Sequence, residues 1–63
     1  MYFIIYKDNK SEWRWKYRAA NHEDIAVSSE GYIRRESCIH SINLVKTGSA
    51  TAKTYDETAK SWI

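Results

Sequence analysis

The chain is predicted to be α+β: a single β-β-β-α-β unit in which an antiparallel sheet packs on one helix. Three observations predict it. "YFIIYK" at 2–7 and "EWRWKYRA" at 12–19 are aromatic and β-branched, and the second alternates apolar and charged side chains throughout. Clusters of turn-formers, "DNKS" and "AANHE", separate these runs from their neighbours. After residue 33 the hydrophobic period lengthens from two to nearly four, which is helical.

The elements follow in order. A three-residue loop, Asn9-Lys10-Ser11 with Ser11 left-handed, pairs Lys7 with Trp13, Ile5 with Trp15 and Phe3 with Tyr17. Phe3, Ile5, Trp13, Trp15 and Tyr17 then face inward, and Tyr2, Ile4, Tyr6, Arg14, Lys16 and Arg18 face outward. A four-residue loop would bring Arg14 and Lys16 alongside Phe3 and Ile5, a worse arrangement. In the next turn Asn21 is the residue most tolerant of a left-handed backbone. A two-residue loop at Asn21-His22 sends Ala26 and Ser28 inward, and Ile25 and Val27 outward, along a short third strand, "DIAVSS".

Within 34–47, Cys38, Ile42 and Val45 recur at helical spacing and Ile39 widens the stripe. Lys46 suits the last turn and Gly48 suits a stop just beyond it. Ile33-Arg34-Arg35 offers no capping side chain. "TAKTY" at 51–55 reads as a fourth strand. The domain is therefore expected to span 1–56, with a tail at 57–63 that is mobile unless Trp62 finds a pocket.

A chain of 63 residues buries only about 60% of its unfolded surface and is marginal without reinforcement. Cys38 is the only cysteine, so no internal disulfide supplies it, and with His22 and His40 it cannot close a four-ligand zinc site. Dense aromatic packing or a second copy remains. No cofactor is expected, because Gly31 and Gly48 are the only glycines and form no phosphate loop. The lone cysteine suggests a reducing compartment. "MYFIIYKDNK" is neither a signal peptide nor a membrane span. A cytoplasmic protein without a membrane partner is the expectation. The net charge of +2 permits a polyanionic partner without arguing for one.

"IYKD" at 5–8, "WRWKYRAAN" at 13–21 and "SSEGY" at 28–32, followed by a helix carrying Cys38, Ile42, Val45 and Lys46, together resemble the YegP-like family of small bacterial proteins. The resemblance runs from about Phe3 to Lys46. That family is a domain of unknown function, and its fold is similar to the one just read. Two of its units share one sheet and exchange C-terminal strands. The resemblance thus implies a homodimer in which Thr51, Ala52, Lys53, Thr54 and Tyr55 cross over. The family usually carries Gly at the positions of Ser11, His22 and Ser41, and a capping Ser near Arg34. Gly at the first two would serve turns that need φ > 0.

Three kinds of chemistry merit weighing. Tyr2 and Tyr6 would stack unpaired bases while Arg14, Lys16 and Arg18 neutralise phosphates. The competing structural reading lays those basic side chains along tyrosine rings on an ordinary half-buried sheet, and it is preferred. Arg34 and Arg35 oppose the helix dipole, a mild hint of an anionic partner. A thiol enzyme would need Cys38 with a histidine, yet His40 lies about 200° away around the helix. Asp8, Glu12, Glu23, Asp24 and Glu30 fall at turns and strand ends as solubilising residues do. Ser28, Ser29 and Glu30 suit backbone hydrogen bonds where the third strand hands over to the helix. The functional expectation is a small dimeric interaction module that is not an enzyme. Its partner is a second copy and, beyond that, nucleic acid or an unidentified protein. The alternative is weak, sequence-tolerant single-stranded nucleic-acid binding.

Overall fold

The computed structural model describes residues 1–63. Its elements are β1 (Tyr2–Lys7), β2 (Trp13–Arg18), β3 (Asp24–Val27), α1 (Arg35–Gly48), β4 (Tyr55–Asp56) and β5 (Ser61–Trp62). The first three form an antiparallel sheet in the order β1-β2-β3, and β4 and β5 form a separate two-stranded ladder. The α+β class holds.

Register in the first hairpin is the predicted one: Lys7 opposes Trp13, Ile5 opposes Trp15 and Phe3 opposes Tyr17. The Asp8 amide donates to the Glu12 carbonyl at 2.9 Å and the Ser11 amide to the Asp8 carbonyl at 3.0 Å, with Ser11 at φ 60°. This is a three-residue loop closed by a left-handed residue. The second hairpin departs from expectation. Its loop is also three residues long, since Ala19 receives from His22 and donates to Glu23, both at 2.9 Å. The left-handed residue is His22, at φ 67°, as the family's glycine at this position implies, and not Asn21. The extra loop residue is cancelled by a bulge: Tyr17 opposes Ala26 while Arg18 opposes Asp24, leaving Ile25 unpaired. Ala26 stays exposed at the sheet margin, while Ser28 is buried.

Helix α1 begins without a side-chain cap at Arg34, as its sequence predicts. Gly48 does not act as a left-handed stop. It is the last helical residue, Ser49 follows with φ −67°, and the chain unwinds through turns from Thr51 to Gly48 and Ala52 to Ser49. The helix packs on β2 and β1 and on no other element. Cys38 and Ile42 are buried there with Trp15, while Phe3, Ile5, Trp13, Tyr17 and Tyr32 pack around them half-buried. Burying a side chain the size of Ile42 contributes about 1.5–3 kcal/mol. Trp15 also satisfies its indole: Nε1 donates to Ser41 Oγ at 2.9 Å, and that hydroxyl donates to the Cys38 carbonyl at 2.7 Å. A glycine at position 41 would supply no such acceptor. Val45, placed on the apolar stripe by its spacing, remains 37% exposed because no element covers the end of the helix.

The C-terminal region also departs from expectation. Residues 51–54 form no strand, and strand pairing begins at Tyr55. Residues 57–63 are not free of structure: Ser61–Trp62 folds back on Tyr55–Asp56, and the Tyr55 and Trp62 rings meet edge-on at 5.0 Å. This aromatic pair is what the tail packs on, and the ladder touches no other element. The Cα radius of gyration is 13.8 Å, against about 11 Å for a compact domain of this length. The hairpin projects as an arm.

Candidate functional site

The outward face of β1 and β2 gathers Tyr2, Tyr6, Arg14, Lys16 and Arg18, because period-two alternation puts them all on the side away from α1. Their environment is more occupied than the sequence suggests. Arg14 Nε donates to Asp8 Oδ2 at 2.6 Å. Arg18 Nε donates to Asp24 Oδ1 at 2.8 Å, and Lys16 Nζ lies 3.7 Å from Asp24 Oδ2. Lys16 Nζ also sits 5.2 Å from the centre of the Tyr6 ring. The Tyr2 hydroxyl lies 2.6 Å from His22 Nδ1, with the two rings edge-on at 5.9 Å.

These contacts set the electrostatics. The hydrogen bond from Arg14 holds the Asp8 carboxyl below its ordinary value of 3.8, helped by the Glu12 and Lys10 amides. The Arg18 guanidinium does the same for Asp24, with Lys16 adding to it. Both arginines are held more firmly protonated in return. A phosphate arriving at this face must compete with two carboxylates already in place, and a base must displace Lys16 to reach the Tyr6 ring.

Asp8 and Asp24 are therefore not just solubilising. Asp8 Oδ1 accepts from the Lys10 amide at 2.8 Å and the Glu12 amide at 3.0 Å, so one side chain shapes the first turn and anchors Arg14. The signal for both aspartates was present in the pairing: each sits beside a turn, six residues from an arginine that the hairpin brings round to meet it.

The other candidates are placed as follows. Ser28 is 6% exposed; its hydroxyl accepts from the Trp15 amide at 3.2 Å and its own amide donates to the Trp15 carbonyl at 2.9 Å. It closes the ladder where β3 ends, the structural role expected of it. Cys38 is fully buried, and burial pushes its thiol up from the ordinary 9.0, opposed in part by Arg35. His40 is exposed on another side of the helix. An open groove of about 460 Å³ lies between Tyr32 and the first helical turns, with Arg34, Glu36, Ser37 and His40 along it. Arg34 and Glu36 there approach to 3.5 Å and offset each other. No three His, Cys, Asp or Glu side chains cluster as metal ligands. No helix is long and apolar enough to cross a membrane. Thr51, Ala52, Lys53 and Thr54 lie exposed between α1 and the arm, and Tyr55, also exposed, opens the arm's first strand.

Residues 8–56 match the family described as a domain of unknown function, DUF1508. A UPF0339 protein of Neisseria meningitidis serogroup B is 52% identical over 50 residues, covering 79% of this chain and 88% of that protein. A UPF0339 protein of Agrobacterium fabrum is 45% identical over 56 residues, 89% of either chain. One from Methanosarcina acetivorans is 39% identical over 51 residues, 81% of this chain and 86% of its own length. The family match runs from the first turn through β2, β3, the core helix and the start of the arm, and no function is attached to it. In agreement with the YegP-like resemblance, the chain belongs to the DUF1508 (UPF0339) family of small domains of unknown function.

Proposed function

We propose that this chain is a small self-associating interaction module without catalytic chemistry, working as a homodimer in a reducing, cytoplasmic setting. One observation carries the reading. The buried apolar core consists of Trp15, Cys38 and Ile42, whereas Ile25, Val27, Leu44, Val45, Trp62 and Ile63 all lie exposed. A domain this short is marginal by itself, and a second copy covers apolar surface that the monomer leaves wet. The crossing segment is Thr51–Tyr55, which carries the arm away from the body. Light scattering after size exclusion is expected to give twice 7.4 kDa. A monomer at micromolar concentration overturns the proposal. Removal of residues 50–63 is expected to weaken the dimer, and an unchanged dimer removes the arm from it.

The competing reading is weak single-strand binding by Tyr2, Tyr6, Arg14, Lys16 and Arg18, and it draws support from their shared face. The ion pairs to Asp8 and Asp24 count against it. Fluorescence anisotropy of labelled single-stranded RNA and DNA at low and moderate salt separates the two. Salt-sensitive binding that is lost in an Arg14→Gln, Arg18→Gln double variant establishes phosphate contacts. No binding at low salt retires them.

A further inference from the structure

The basic side chains of this protein divide into those beside a carboxylate and those without one. Arg14 lies beside Asp8, Lys16 and Arg18 beside Asp24, and Arg34 beside Glu36. Lys7 and Arg35 have no such partner, yet both converge on one indole. Lys7 Nζ stands 5.1 Å from the centre of the Trp13 ring, and Arg35 Cζ stands 5.9 Å from it. One such contact is ordinary packing of a cation on an aromatic ring. Two on one ring hold like charges near each other with no carboxylate paired to either, which is unfavourable until an anion arrives. The indole is fixed in place. Trp13 exchanges backbone hydrogen bonds with Tyr32 at 2.7 and 2.8 Å, and Lys7 opposes it across the first hairpin. Glu12, its neighbour in sequence, is turned against Gly31.

The open groove beside α1 adjoins this pair. Tyr32 belongs to both, bonded to Trp13 through its backbone and lining the groove with Ser37, His40 and Leu44. At about 460 Å³ the groove has room for a side chain and more, since small-molecule sites begin near about 300 Å³. Leu44 is 59% exposed along it, and Ile33, between Tyr32 and Arg34, is 79% exposed. We infer that this end of the domain binds an acidic peptide segment of a partner protein. Lys7 and Arg35 take its carboxylates, and an adjacent apolar side chain seats in the groove against Tyr32 and Leu44. The Arg35 guanidinium suits the part, because its planar fork receives a carboxylate through two parallel N–H donors. Ser37 and His40 supply hydrogen-bonding groups for the peptide backbone. Nucleic acid fits less well. A base has to displace Lys7 or Arg35 to stack on Trp13, and a sugar–phosphate chain has no small apolar branch to fill the groove. The inference goes beyond the self-association reading and does not depend on it.

The test is an NMR titration of the isotope-labelled full chain, at low salt, with a peptide of glutamates around one central leucine. The Trp13 indole N–H signal is expected to move most, with those of Lys7, Arg35 and Leu44 next. A Lys7→Gln, Arg35→Gln double variant is expected to bind about tenfold more weakly, the loss of two exposed ion pairs. A Lys53→Gln, Lys60→Gln variant removes the same charge from the arm and is expected to bind as the parent does. Exchanging the peptide's leucine for glycine is expected to weaken binding and to leave the Leu44 signals still. Equal loss in the two double variants overturns the inference, because net charge alone then attracts the peptide. Indifference to the leucine overturns it too, as does an absence of binding. Tighter binding of a single-stranded oligothymidylate of equal charge, at the same signals, overturns it in favour of nucleic acid. Light scattering on the same samples reports self-association separately, so failure of either reading leaves the other standing.

Discussion

The two hairpin turns share one backbone design and differ in what holds it. Asp8–Glu12 and Ala19–Glu23 are both three-residue loops, closed by Ser11 at φ 60° and His22 at φ 67°. The first is braced from several directions. Asp8 accepts two turn amides and the Arg14 guanidinium, Gly31 presses against Glu12, and Tyr32 exchanges backbone bonds with Trp13 at 2.7 and 2.8 Å. The second has Ala19 where the first has Asp8. Its side-chain support is a 3.3 Å bond from the Glu23 amide to Asn21 Oδ1 and the contact of His22 with Tyr2. A left-handed non-glycine residue is tolerated when the rest of the turn over-determines it. The first turn meets that condition through the fold, and the second meets it with a bulge and local contacts.

The comparison can be broken most severely at Gly31. A Cβ there would stand 2.8 Å from the Glu12 Cβ, so Gly31→Ala is expected to cost about 1–3 kcal/mol by chemical denaturation. A result near zero would mean that Glu12 does not brace the turn. Next in size is Asp8→Ala, which removes the turn acceptor and the Arg14 partner together. Asp8→Asn retains an oxygen for the turn amides, so its midpoint is expected between Asp8→Ala and the parent. Equal loss in both variants would assign the whole effect to Arg14.

Acid offers the same dissection without mutation. Asp8 and Asp24 are held below the ordinary 3.8 in the folded state. Their contribution is complete above that value and is lost as pH falls through the lowered folded-state values. Thermal midpoints are expected to be flat in this contribution from neutral pH down to about 4 and to drop below it, less steeply in Asp8→Asn. At the small end, Ser11→Gly is expected to gain about 0.5–1 kcal/mol by relieving the left-handed backbone. His22→Gly gains less, because it also loses a hydrogen bond to Tyr2 worth about 0.5–1.5 kcal/mol. If His22→Gly gains as much as Ser11→Gly, the Tyr2 contact contributes nothing.

The same contrast explains which parts of the fold were legible in the sequence. The first hairpin was readable residue by residue, since the three-residue loop keeps Trp13, Trp15 and Tyr17 on the side of Phe3 and Ile5 and a four-residue loop does not. The second was not. A two-residue loop, or a three-residue loop plus a bulge at Ile25, delivers the same pairing of Tyr17 with Ala26, and hydrophobic pattern cannot choose between routes to one register. Gly48 misled because a glycine at a helix end permits a left-handed stop without requiring one. The tail ladder is two residues long on each side, too short to show any period. At the candidate face the alternation placed Tyr2, Tyr6, Arg14, Lys16 and Arg18 on one side of the sheet, but the pairing of the three basic residues with Asp8 and Asp24 is a cross-turn property. It emerges only when register and turn shape are both known.

The detached arm has a consequence for how this chain can change. Because β4 and β5 lean on each other and on no other element of their own chain, substitutions there remove no packing from within the body, and the family match ends at residue 56, part-way through the ladder. Fusions, length changes or a wholly different terminal sequence are accommodated beyond that point at little thermodynamic cost.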